Sequence, residues 1–156
     1  MKGRILAGLA ILAAASPASA QVTQDVNIAV NAISQIAVTG GAQTLTISTA
    51  TAGSQPTPAT ASVNWAVTTN LTNQKVTASI GSNMPAGLVL QAQMEAPAGG
   101  LSTGPNNLST AASDLVTGIS TLAAGGLNLT YTLSANVSAG VVSTSRTVTY
   151  TITAGP

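Results

Sequence analysis

The chain has 156 residues, of which 45% are hydrophobic and only 4% charged, and it contains no histidine and no cysteine. That composition excludes disulfides and removes most side chains used for acid–base, nucleophilic and metal chemistry, so no cofactor is expected. Four basic residues outnumber three acidic ones, but Lys2 and Arg4 sit at the extreme N-terminus; without them Lys75 and Arg146 face Asp25, Glu95 and Asp114, a net charge of −1. No basic patch is left to hold nucleic-acid phosphates.

Lys2 and Arg4 precede an uncharged Ala/Leu-rich run over residues 5–15, then Pro17 and the small-x-small triplet Ala18-Ser19-Ala20. This is the pattern of a secretory signal peptide cut after Ala20. The apolar run is too short to cross roughly 30 Å of hydrocarbon. Residues 1–20 are therefore read as a leader and residues 21–156 as one domain, with enough length for a real core. Export is expected, to the periplasm, the cell surface or the extracellular space, with no integral span after cleavage.

Next in the chain, Val22, Val26, Ile28, Val30, Ala32, Ile36 and Val38 share one parity, while Thr23, Asp25, Asn27, Asn31 and Gln35 hold the other. Alternation over this length predicts a long N-terminal strand. It can pair within its own sheet or with the edge of a neighbouring subunit. Val22, Val26, Ile28 and Val30 are the candidate assembly residues. Leu45 and Ile47 mark a short strand, and Pro56 and Pro58 a connection. Val63, Trp65 and Val67, then Val76, Ala78 and Ile80, flank the polar turn at residues 69–73, which predicts a hairpin with Val67 opposite Val76 and Trp65 opposite Ala78. Residues 81–87 form a loop. Leu88, Leu90, Ala92 and Met94 alternate as another strand, residues 96–107 are a longer loop, and residues 115–122 a short strand interrupted at Gly118.

The C-terminal region alternates most clearly. Leu127, Leu129, Tyr131 and Leu133 are interleaved with Asn128, Thr130, Thr132 and Ser134; Val148, Tyr150 and Ile152 are interleaved with threonines. A hairpin through Ala139-Gly140 would set Tyr131 opposite Val148 and Leu129 opposite Tyr150, with the apolar residues on one face. Trp65, Tyr131 and Tyr150, the chain's three aromatics, all fall on apolar faces and are candidate core residues. Weak net charge combined with high hydrophobicity argues against disorder, and 2% aromatic content against an outer-membrane barrel. The fold class expected is all-β: one immunoglobulin-like Greek-key sandwich of about seven to nine antiparallel strands.

Four stretches carry a resemblance: residues 21–38, Thr68-Thr69-Asn70, Ser82-Asn83-Met84-Pro85-Ala86-Gly87 and Arg146-Thr147-Val148-Thr149-Tyr150-Thr151-Ile152-Thr153. Through them the chain resembles a loose group of small, secreted, cysteine-free bacterial β-sandwich proteins. The alternating N-terminal strand and the tyrosine-containing last strand are also similar to those of chaperone–usher fimbrial subunits, which implies assembly by donor-strand exchange. Two features depart from that pattern. Many such subunits carry a cysteine pair, absent here, and the last strand runs on into Ala154-Gly155-Pro156.

No catalytic residue emerges. Asp25 and Glu95 fall on polar strand faces and Asp114 in a Ser/Thr-rich loop, where solvated surface roles suit all three better than a glycosidase pair. Lys75 is the sole base available to a serine, and no Ser-x-x-Lys motif includes it; near a turn it reads as a solubilising edge charge. The carboxylates are too few for calcium. Asn70, Asn107, Asn128 and Asn136 begin Asn-x-Ser/Thr sequons, which arise by chance in such a composition. The sequence thus points to a non-catalytic structural or cell-surface protein, self-assembling or joined to other surface proteins through its edges. The alternative is a monomeric extracellular module that binds a polysaccharide or cell-wall partner through loops such as residues 96–107.

Overall fold

The computed structural model describes residues 20–156; the leader assigned from the sequence lies outside them except for Ala20. Nine strands follow in order among these residues: β1 (Ser34–Val38), β2 (Ala59–Thr69), β3 (Gln74–Ile80), β4 (Leu88–Met94), β5 (Leu101–Ser102), β6 (Asn106–Asn107), β7 (Ser113–Ile119), β8 (Leu122–Ala135) and β9 (Val148–Ala154). One sheet has the order β1-β2-β8-β4-β6 and the other β5-β7-β3-β9, with every pairing antiparallel. The molecule is a β-sandwich. The sandwich spans Asn31–Pro156 as one compact unit.

Period-two alternation builds the core. Val63, Trp65 and Val67 of β2, Val76, Ala78 and Ile80 of β3, Leu90, Ala92 and Met94 of β4, and Leu129 and Tyr131 of β8 point inward, joined by Leu115, Val116 and Ile119 of β7. Their outward neighbours are largely Thr, Ser, Asn and Gln, as expected for strands with one face on the core.

Both expected hairpins are instead crossings between sheets. After Thr69 the chain passes through residues 70–73 and enters the opposite sheet as β3. Trp65 consequently pairs with Leu127 and Val38, while Val76 pairs with Ile152 and Val116. β8 and β9 also lie in different sheets, and a connection containing the 3-10 turn Val137–Ala139 joins them. A hairpin and an inter-sheet crossing leave the inward parity of both strands unchanged, so alternation cannot tell them apart.

Four boundaries differ as well. The long N-terminal strand is confined to Ser34–Val38, and residues 20–33 carry no strand. Leu45 and Ile47 keep alternate half-burial without forming one. The loop over residues 96–107 contains the short strands β5 and β6. Leu122 opens β8 instead of closing the strand before it, because Thr121 turns the chain at a positive φ of 38°. Asp114 and Lys75 move with these changes: Asp114 lies within β7, and Lys75 on β3, an interior strand of its sheet.

Candidate assembly site

β9 ends the four-stranded sheet, and among the described residues only β3 bonds to it. Gly81 N donates to Thr147 O at 3.2 Å and Gly155 N to Asn73 O at 2.6 Å, so the odd-numbered residues of this stretch turn their backbone groups toward β3. In an antiparallel ladder the alternate residues face the other way. Val148, Tyr150, Ile152 and Ala154 therefore aim N–H and C=O at an edge that has no backbone partner among the described residues.

The side chains of that edge are also incompletely covered. On β3 the inward residues Val76, Ala78 and Ile80 are at most 2% exposed. One strand further out, Val148, Tyr150 and Ile152 touch the same core yet are only half-buried. β1, the edge strand of the other sheet, lies beside β9, with Cα atoms of the two within 8 Å. No backbone hydrogen bond joins them. Ile36 of β1 and Leu45 beyond it are likewise half-buried against the core. The sandwich thus has a flank where one sheet stops early and apolar side chains meet solvent.

The two tyrosines meet at this flank. Tyr131, buried on β8, and Tyr150, on β9, share a hydroxyl–hydroxyl hydrogen bond of 2.5 Å between the sheets. Burial pushes both phenols above their ordinary range. The bond to Tyr131 raises Tyr150 further, whereas the bond to Tyr150 partly offsets the rise at Tyr131. Trp65, on β2, is fully buried, and its indole Nε1 has no hydrogen-bond partner among the described residues.

Neither cation of the domain guards the β9 edge. Lys75 Nζ pairs with Asp114 Oδ1 at 3.0 Å on the outer face of its sheet. The Arg146 guanidinium donates to Asn83 O at 2.9 and 3.2 Å, to Thr144 Oγ1 and to Ser145 O, which ties it to the loop before β4. Natural edge strands are commonly protected by a charge, a proline or a bulge, and β9 has a regular register with none of these within it.

The candidate assembly residues Val22, Val26, Ile28 and Val30 are 73–92% exposed and lie in no strand. Sequence reasoning identified this apolar row but not its counterpart on β9. The stripe Val148, Tyr150, Ile152 is visible in the alternation, but alternation fits pairing with β8 equally well, which conceals the free edge. Glu95, the remaining acidic residue of the sandwich, accepts from Asn128 N at 2.8 Å next to Gln93 and Thr130 on the polar face of the five-stranded sheet. Comparison with protein-family models, curated proteins and solved structures returned no match for this chain.

Proposed function

We propose that this chain is a secreted, non-catalytic structural protein of the cell surface, fimbria-like, whose copies join by strand exchange. Residues 22–30 of one copy add to the open β9 edge of another. The observation that carries this reading is the β9 edge, without a backbone partner among the described residues and half-open above Val148, Tyr150 and Ile152. The strand orders β1-β2-β8-β4 and β7-β3-β9 support an immunoglobulin-like Greek key in which the strand flanking β9 is left for a second copy to supply. Export by the N-terminal leader would deliver the chain to a compartment where such contacts can form.

The proposed donor suits this edge chemically. Val26, Ile28 and Val30 recur every second residue, which spaces them about 6.5–7 Å apart in an extended chain, as Val148, Tyr150 and Ile152 are spaced. Burying each would contribute roughly 1.5–3 kcal/mol, and each new backbone hydrogen bond about 0.5–1.5 kcal/mol. Together these offset an ordering cost of about 1–2 kcal/mol per residue. The test is the size distribution of the protein beginning at Gln21, by light scattering with negative-stain microscopy. Regular fibres or a ladder of oligomers are expected. Deletion of residues 21–30, or Ile28→Asp, should leave a folded monomer that a synthetic peptide of residues 21–33 stabilises against heat. A single monomer peak at every concentration, unmoved by the peptide, would overturn the proposal.

A further inference from the structure

Asn70 follows β2 and holds the three residues before β1 through both ends of its side chain. Its Oδ1 accepts from Ile33 N at 2.7 Å and its Nδ2 donates to Asn31 O at 2.8 Å. Its own N–H donates to Ile33 O at 3.1 Å. Thr69 Oγ1 adds a bond to the same carbonyl at 3.0 Å and accepts from Leu71 N, so the hydroxyl is itself fixed. A donor and an acceptor on one planar amide thus match the main chain at Asn31 and Ile33 as a neighbouring strand would. An aspartate would lack the donor and a serine the reach.

The strand directions give this clamp a consequence. β1 begins opposite Thr69, and β9 ends opposite Gln74, so the start of β1 and the end of β9 lie at the same end of the sandwich. A segment preceding Asn31 could reach its own β9 edge only by reversing at residues 31–33. It would then run in the same direction as β9 and pair in parallel, the slightly weaker arrangement. The reversal requires the bonds to Asn70 to break. A strand from a second copy meets neither constraint.

We infer that Asn70 is a positioning residue that favours pairing of residues 22–30 with a second copy over pairing with the same chain. This inference rests on the strand-exchange reading and adds what sets its direction. Because the chain has no cysteine, introduced thiols report the outcome directly. One thiol is placed at Asn27→Cys, with Asp25→Cys and Ala29→Cys as alternatives that cover the neighbouring registers, and its mate at Thr151→Cys. After oxidation, non-reducing electrophoresis separates linkage between chains from linkage within one. With Asn70 intact, inter-chain linkage should dominate. Asn70→Ala should raise the intra-chain share severalfold, Asn70→Asp by less, and both should remain folded by circular dichroism. If Asn70→Ala and Asn70→Asp leave the ratio unchanged while inter-chain linkage persists, the role of Asn70 is overturned and strand exchange stands. If no inter-chain linkage forms even with Asn70, strand exchange itself fails and the inference falls with it.

Discussion

Tyr131 and Tyr150 give the fold a response to alkaline pH. Burial raises both phenols above their ordinary value, whereas tyrosines of the unfolded chain titrate near 10. Protons are therefore lost more readily by the unfolded chain, so the stability these residues contribute is complete below about pH 10 and declines as the pH climbs above it. The chain has two tyrosines, so phenolate absorbance reports this pair alone. It should stay flat through pH 10 in the folded protein and then rise together with loss of the β circular-dichroism signal. Smooth titration near 10 with the fold intact would contradict the buried pair. Trp65 illustrates a different balance. Its unpartnered indole N–H costs about 1–3 kcal/mol, yet truncating a buried tryptophan typically costs about 3–5 kcal/mol. It is kept for its volume, which fills the space between the sheets where β2 meets Leu127.

Strand faces were legible at the scale of elements, and strand neighbours were not. The inward residues of β2, β3, β4 and β8 follow the alternation closely, because each strand has one buried face. The exception is instructive. Inward positions on β8 are Leu122 and Ala124 at its start but Leu127, Leu129 and Tyr131 later. The parity changes because the register with β2 shifts between Trp65 and Val67, opposite Gly125 and Gly126. Gly126, at a φ of +71°, adopts the left-handed backbone this bulge requires. Turn chemistry explains another join. Gly87, at a φ of +82°, accepts from Asn136 N at 2.9 Å, and a Cβ there would lie 2.5 Å from Asn136 Oδ1 and 2.8 Å from Ala139 N. The turn before β4 and the turn after β8 pack against each other only because that position has no side chain. Gly87→Ala should lower stability by about 1–3 kcal/mol in denaturant unfolding. Gly81→Ala, where an added Cβ meets nothing within 4 Å and φ is not positive, should be nearly neutral. Equal midpoints for the two variants would refute the contact.

For the whole molecule, the scarcity of charge matters most. Lys75 is matched by Asp114 away from the β9 edge, and Arg146 is committed to backbone carbonyls. The proposed association through β9 is therefore expected to depend on apolar burial and backbone hydrogen bonds, with little long-range steering or repulsion. Raising sodium chloride from about 0.05 to 0.5 M, which shortens the Debye length severalfold, should change the association midpoint by less than tenfold. Sulfate, which strengthens apolar burial, should promote assembly. A steep fall in assembly with sodium chloride would show that charges hold the contact.

The sequence alone determined a charge-poor, cysteine-free chain, an all-β class and the inward face of most strands. These are local properties: a period of two and the presence or absence of residue types. The apolar row Val22, Val26, Ile28 and Val30 was legible in the same way, but its exposure and its lack of strand structure were not. Only the tertiary structure decided that Thr69 leads across to the opposite sheet, that β8 and β9 face each other instead of pairing, that Lys75 stands on an interior strand, and that β9 is an edge. Alternation records which side of a strand faces the core; which strand lies beside it depends on backbone pairing, and backbone groups are the same in every residue but proline.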